Sequence, residues 1–413
     1  MKKNRWDIPS ALLAAALGCG VPAQAQQLPA GSETFRQGFD AAWARQPEQR
    51  AAALRRDAAT AGEVAARRWS PEPPSLDLTA KSDRTTDNTG AREYEATVAV
   101  PLWLPRERSR SQAAASAESE AFEARLLAAK WRLAAEVRTA HWAYQRARLD
   151  SSLALQRLEN ARRLAADVAR RVRAGDLARS DAHQADGAVA TAESAAAEAA
   201  VALSRAAQAW TSLTGKPALV REDVAPESIP PATAQAAAHP ALRELTARAD
   251  LARRQAELAG AQTRANPELR LGVSRERAEA RERYAQALVV GVRIPLGTHS
   301  RSDAKIATAA AEQLEAETQL ALEQERIESE VQAARDRVVV LQGAVDAAER
   351  RSRLAAESRG FFEKSFRLGE SDLPTRLRVE LEATDAQRQA TRCRIDLAEA
   401  ISQLRQSLGL LPE

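Results

Sequence analysis

Cysteine is nearly absent from the chain, and what there is cannot pair. Of the two cysteines, Cys19 lies in an N-terminal segment that reads as a secretory signal: Lys2, Lys3 and Arg5 make a basic start, Ala11 to Val21 an apolar run, and Ala23-Gln24-Ala25 a small-x-small cleavage site. Removal of residues 1–25 would leave Cys393 alone, which excludes an intramolecular disulfide even in an oxidising compartment. A second reading of the same segment is lipidation at Cys19, because Leu17-Gly18-Cys19 loosely resembles a bacterial lipoprotein signal. Ala16, however, stands where that signal usually has Leu.

Histidine is as sparse as cysteine. His141, His183, His239 and His299 are scattered, and neither an H-x-x-x-H nor a C-x-x-C spacing occurs, so no metal site and no cofactor are expected. A Walker glycine loop, a G-x-S-x-G turn and a paired acid and base are missing too, which argues against an enzyme. No stretch after the signal approaches the roughly 18 apolar residues of a spanning helix. If the mature protein crosses a membrane, it does so with strands. Loss of Lys2, Lys3, Arg5 and Asp7 lowers the net charge from +4 to +2, and the remaining Arg is dispersed among Glu and Asp, so no nucleic-acid partner is expected.

Aromatics are only 4% of the chain, too few for a thick globular core; the 45% hydrophobic share is carried largely by Ala, with Arg, Glu and Gln beside it. Such a mix suits long helices packed through small residues. The chain also repeats itself. Pro101-Leu102 recurs as Pro295-Leu296, Glu136-Val137 as Glu330-Val331, Gly175 as Gly369 and Gly215 as Gly409, each 194 residues on; Pro47 and Pro74 recur 193 residues on as Pro240 and Pro267. A one-residue indel near the strands accounts for both offsets. The expected organisation is a first repeat over 26–215, a proline-rich linker over 216–238 and a second repeat over 239–413.

Each repeat reads as helix, two strands, a very long helix, a sharp break and a shorter helix. In the first copy these fall at 33–69, 76–81, 94–102 and 107–173, the last reaching about 100 Å at 1.5 Å per residue. Leu158, Ala161, Ala165, Val168 and Val172 follow at coiled-coil spacing near its far end. Alternation places Tyr94, Ala96, Val98, Val100 and Leu102 on one strand face, and Leu288, Val290, Val292, Ile294 and Leu296 on its counterpart. That is the weak signature of a membrane β-barrel strand, stronger for being repeated. A small soluble sheet over a core reads the same per hairpin, but the flanking helices bring little large apolar surface to cover it. Four strands cannot close, so a barrel requires association: two chains would give a narrow filled barrel, three a twelve-stranded one. A periplasmic coiled-coil scaffold is the competing reading.

The tips carry the most specific wording. Arg171-Val172-Arg173-Ala174-Gly175-Asp176-Leu177-Ala178-Arg179-Ser180-Asp181 and Phe366-Arg367-Leu368-Gly369-Glu370-Ser371-Asp372-Leu373-Pro374-Thr375-Arg376, with His239-Pro240-Ala241-Leu242 and Asn266-Pro267-Glu268-Leu269, resemble the TolC family of outer-membrane efflux proteins over essentially the mature chain. The resemblance implies a mainly α fold with a small β part: a homotrimer whose twelve-stranded barrel, faced by Ala96, Val98, Val100, Val290, Val292 and Ile294, sits in the outer-membrane lipid of a Gram-negative bacterium, above a long-helix α-barrel in the periplasm. It further implies docking of a periplasmic adaptor (membrane fusion) protein at the tips, through Gly175, Asp176, Leu177, Ser180, Gly369, Glu370, Ser371, Asp372 and Leu373. The adaptor would link the duct to an inner-membrane pump, of RND type in this family. Asp181 fits an acidic gate position after the first tip, whereas Thr375 and Arg376 follow the second. Helix capping by the same acidic and hydroxyl residues is the plainer reading. The second tip looks most like the branch serving cobalt, zinc and cadmium efflux; drug efflux and type I protein secretion are the alternatives.

Overall fold

The structure is a computed structural model that describes residues 32–218, 227–231, 233–234, 236–296 and 299–413. The expected signal segment, with Cys19, lies outside the described residues, as does part of the 216–238 linker.

Two short helices, α1 (Ser32–Arg45) and α2 (Pro47–Ala66), precede the strands β1 (Ser75–Ser82) and β2 (Arg92–Pro101). Next come the long helix α3 (Glu107–Ala174) and α4 (Arg179–Thr214). After the linker the order returns: α5 (Pro240–Ala261), β3 (Glu268–Arg277), β4 (Ala285–Arg293), α6 (His299–Arg367) and α7 (Leu373–Ser407). α2 and α5 start at the prolines 193 apart, and α4 and α7 start 194 apart. The single first helix expected over 33–69 is broken at Gln46, because Pro47 lacks the N–H that would continue the α1 ladder; at N1 of α2 the missing donor costs nothing.

The four strands form one antiparallel sheet in sequence order. β2 and β3 pair over ten residues, from Arg92 with Arg277 to Pro101 with Glu268, so the sheet joins the repeats at its centre. Its base is fixed by Glu107, 1% exposed at the start of α3. The Glu107 carboxylate accepts from Leu104 N at 2.9 Å, Gln262 Nε2 at 2.9 Å and Asn266 Nδ2 at 2.6 Å, while Leu102 N donates to Pro267 O at 2.7 Å. A buried carboxylate with three donors is stable where an unpaired one is not.

Below the sheet, apolar side chains gather where helices from both ends of the sequence meet. In the first repeat Phe35, Phe39, Trp43 and Trp210 pack with Leu126, Leu133 and Val137; in the second, Ile327, Val331 and Val338 pack with Ile401, Leu404 and Leu408. A third cluster at the far end contains Leu164, Val168, Ala185, Phe366 and Leu373. The stripe of small and apolar residues expected on α3 lies along this seam, with Ala165 and Val172 packed at its edge.

Candidate functional site

Two regions can act on the surroundings: the sheet at one end and the helix reversals at the other.

In an antiparallel sheet directly opposed residues share a face. One face therefore consists of successive cross-strand rows: Val100, Leu269 and Val292; then Leu76, Val98, Leu271 and Val290; then Leu78, Ala96, Val273 and Leu288. These apolar side chains face solvent in the single chain, Leu78 at 73% and Leu288 at 75%. The other face is polar and tied by charge pairs, Lys81 with Glu93 at 3.0 Å, Arg270 with Asp77 at 3.7 Å and Arg293 with Glu268 at 3.7 Å. Gly272 on this face makes room for buried Thr97, since a Cβ there would lie 2.4 Å from the threonine Oγ1. The sheet thus has one charged face and one apolar face, and the apolar rows are uncovered in the single chain.

β1 and β4 each pair on one side only, which leaves two open edges. Among the sequence-derived positions, Ala96, Val98, Val100, Val290 and Val292 stand on the apolar face, and Ile294 falls just beyond Arg293, the last residue of β4.

At the opposite end each long helix stops in the same way. Gly175 and Gly369 have φ of +87° and +79°, left-handed values that glycine adopts without Cβ strain. Gly175 N donates to Val172 O at 3.1 Å and Asp176 N to Arg171 O at 2.9 Å; Gly369 N donates to Phe366 O at 3.2 Å and Glu370 N to Ser365 O at 3.0 Å. Both are the double bond pattern that closes a helix C-terminus on a left-handed residue. The next helices are capped by carboxylates from different positions. Ala178 N donates to the Asp181 carboxylate at 3.1 Å, whereas Thr375 N donates to the Asp372 carboxylate at 3.1 Å. These bonds hold the Asp372 carboxyl below its usual range, the largest cause being the bond from Thr375.

Gly175, Asp176, Ser180, Gly369, Glu370 and Asp372 are exposed, and Leu177 and Ser371 are half-buried. Leu373 is 1% exposed in the tip cluster, so its side chain supports the tip from within rather than facing outward. Beside it Phe366 is held between two guanidinium groups, Arg171 from the first repeat at 4.6 Å and Arg376 at 4.8 Å. Sequence reasoning passed over this clasp, although an aromatic three residues before the tip glycine with arginines in both tips was its visible trace.

A family model described as outer membrane efflux protein matches residues 39–216. No curated protein matches the sequence. Solved structures match over nearly all of it: the outer membrane protein VceC from Vibrio cholerae is 17% identical with a TM-score of 0.74, covering 92% of this chain and 97% of its own. The fold is that of the TolC-like outer-membrane channels. CusC, whose structures bear on folding and transmembrane channel formation, is 16% identical with a TM-score of 0.76 and 92% of each chain covered. The open-state MtrE outer membrane channel of Neisseria gonorrhoeae is 18% identical with a TM-score of 0.70, covering 91% of this chain and 89% of its own. At such identities the TolC-like likeness is one of backbone, and each side-chain role must be argued from this chain's own contacts.

Within that TolC-like frame, no helix among the described residues is long and apolar enough to cross a membrane, and no group of three or more His, Cys, Asp or Glu among them could hold a metal ion.

Proposed function

We propose that the chain is one subunit of a homotrimeric outer-membrane channel of a Gram-negative bacterium, a passive duct in an efflux system. The observation that carries this reading is the four-stranded sheet with an uncovered apolar face and two open edges. In hydrocarbon, open edges leave backbone groups unpaired at a cost of several kcal/mol each. Pairing β1 of one copy with β4 of the next removes every edge, and three copies make twelve strands.

At the other end, the exposed tip residues Gly175, Asp176, Ser180, Gly369, Glu370 and Asp372, with half-buried Leu177 and Ser371, are the proposed contact for a periplasmic adaptor, and through it an inner-membrane pump of RND type. Asp181 would narrow the mouth only with the carboxylate oxygen that its bond to Ala178 leaves free. Divalent heavy-metal cations are the proposed cargo on the wording of the second tip. A duct need not bind its cargo, so the scatter of ligating residues does not oppose it. Drug efflux or protein secretion is the alternative, and growth of a deletion strain separates them: sensitivity to a dye without sensitivity to cobalt, zinc or cadmium would favour it.

Fractionation tests the channel itself. The protein should sediment with the outer membrane as a heat-dissociable oligomer, and Val98→Asp or Val292→Asp should abolish assembly by placing a carboxylate against lipid. A soluble periplasmic monomer, or Asp variants that localise normally, would instead support a coiled-coil scaffold.

A further inference from the structure

The apolar face of the sheet does not continue to the loop end. After three apolar rows comes a mixed one, Ala80, Tyr94, Arg275 and Gln286, and then a polar one, Ser82, Arg92 and Arg277. Successive rows on one face are about 6.7 Å apart. Arg275 therefore stands one row above Val273 on the lipid-directed face, and Arg277 and Arg92 stand one row further, above Arg275 and Tyr94. They do not lie in the loops.

This small patch has three unusual properties. Arg92 and Arg277 are directly opposed cross-strand partners, a like-charge pairing that is unfavourable unless something negative sits over it. None of Arg92, Arg275 and Arg277 has a carboxylate partner among the described residues, although this chain pairs arginine with carboxylate throughout its helices. Two nearby loop acids are engaged elsewhere: Asp83 accepts from Thr89 Oγ1 at 2.7 Å and Gly90 N at 3.0 Å, and Glu282 accepts from Ala278 N at 3.0 Å. Third, the site is held rather than floppy. Arg277 donates through Nε to Gly90 O at 3.1 Å, and the Tyr284 ring lies 4.4 Å from the Arg275 guanidinium and 5.0 Å from that of Arg277. Tyr94 and Tyr284 are themselves 6.4 Å apart, an aromatic pair at the level where the apolar rows end.

We propose that Arg92, Arg275 and Arg277, seated on Tyr94 and Tyr284, form a binding site for the phosphate groups of a phosphorylated glycolipid in the outer leaflet. This rests on the reading of the sheet as a membrane barrel. The loops lie at the end of the sheet away from the long helices, so the patch faces the leaflet remote from the periplasm. At that depth a lipid phosphate lies beside the strand rather than above it. Guanidinium groups offer forked N–H donors that fit phosphate oxygens, and tyrosine rings suit the boundary between acyl chain and headgroup. An anion there would neutralise the opposed arginines and place acyl chains along Val273, Ala96 and Leu78. Each trimer would carry three such sites.

The test uses the full-length protein in phosphatidylcholine vesicles doped with lipid A, either bis-phosphorylated or enzymatically dephosphorylated, with retained lipid counted by native mass spectrometry. Wild type should retain the bis-phosphorylated form in preference by on the order of ten-fold or more, and Arg92→Gln with Arg275→Gln should bring the two forms close to parity. Arg92→Lys with Arg275→Lys should recover part of the preference, and Arg281→Gln, a loop arginine off the strand face, should leave it unchanged. Equal retention of both lipids by wild type, loss of preference with Arg281→Gln, or displacement of the lipid by millimolar inorganic phosphate would overturn the site. A wild-type protein that forms no heat-dissociable oligomer in any vesicle would overturn the membrane reading itself. The oligomer band therefore reports on the one question and lipid retention on the other.

Discussion

The two repeats bury the same backbone positions with different side chains. At the common offset of 194, Leu133 answers to Ile327, Val137 to Val331, Tyr144 to Val338 and Trp210 to Leu404, and all eight are buried. The first repeat has aromatic rings at two of these positions, Tyr144 and Trp210, and in α1 with Phe35, Phe39 and Trp43; the second, with no counterpart to α1 among the described residues, has only aliphatics at these positions. The prolines at N1 and the glycines at positive φ recur between the two halves. Side-chain volume differs, and the second core also takes Trp131 of α3 against it.

The largest way to break this symmetry is through the aromatic core. Trp210→Ala should cost about 3–5 kcal/mol and Leu404→Ala about 2–5 kcal/mol, read as lowered thermal midpoints of the helical circular dichroism signal in detergent. A sharper version is the exchange Trp210→Leu. Gly38 is fitted to the indole, since a Cβ on it would lie 2.5 Å from the ring. Gly38→Ala should therefore destabilise the wild-type chain by about 1–3 kcal/mol and Trp210→Leu much less, the two effects being strongly non-additive. Additive effects would mean that the ring and the glycine do not share the space the packing gives them.

A second contrast is ionic. Arg138 is 3% exposed and binds the Glu227 carboxylate at 2.8 Å and 3.0 Å, with Leu410 O at 3.1 Å. Its counterpart, Gln332, lies on the surface and bonds only Asp336 one turn on, at 3.0 Å. Arg138→Ala would leave Glu227 buried with Arg405 Nε at 3.4 Å as its remaining cation, so the loss should be about 3 kcal/mol, while Gln332→Ala should fall within about 0.5 kcal/mol. Equal effects would show that the second repeat has a compensating partner at this level.

How much of this was legible beforehand follows from range. The helix reversals were readable because Gly, Pro and Asp act on their own backbone within a few residues. The strand faces were readable because alternation is local too, whereas the pairing of β2 with β3 that joins the two hairpins is a contact between distant segments. The break before Pro47 was missed because the amphipathic pattern runs through it. The Arg138–Glu227 pair joins α3 to the linker, and the Glu107 carboxylate gathers donors from beyond α5. No spacing along one element reports such contacts. Leu373 illustrates the same limit: its neighbours in sequence mark a tip, while its burial depends on Phe366 and the first repeat.

Acid should also separate the repeats. His141 sits among Phe35, Trp142 and Trp210, with ring centroids at 5.0 Å, 5.0 Å and 5.8 Å, and burial pushes its pKa down to about 4 from 6.5. A depressed histidine favours the folded state fully above the unfolded value, and that contribution is lost as the pH falls from about 6.5 toward 4 because the unfolded chain binds the proton first. The full loss is about 3 kcal/mol at roughly 1.4 kcal/mol per unit. The counterpart, Arg335, donates to Ala234 O. Denaturation midpoints measured between pH 7 and 4.5 should fall in the wild type and much less in His141→Phe, the residual slope belonging to His239, which burial also lowers, and near the acid end to Glu123, Glu323 and Glu413, whose carboxyls are held below their usual range. An unchanged slope in the variant would place the acid sensitivity elsewhere.

The smallest contrast is at the tips, where one carboxylate caps each second helix from opposite ends of the same four-residue frame. Asp372 accepts from the N–H three residues ahead, and Asp181 reaches back to the N–H three residues behind. Asp372→Ala should fray α7 at Thr375, and Asp181→Ala should fray α4 at Ala178, each seen as faster amide exchange at that position with global stability little altered. With its carboxyl held below the usual range, the Asp372 cap is complete above the ordinary value of 3.8 and weakens as the pH drops through the lower folded value. Moving Asp between the frames decides whether the position matters. Ala178→Asp with Asp181→Thr rebuilds the second tip's cap in the first, and exchange protection at residue 181 should then resemble that of Thr375. If protection is lost instead, residues outside the four-residue frame are what order the first tip.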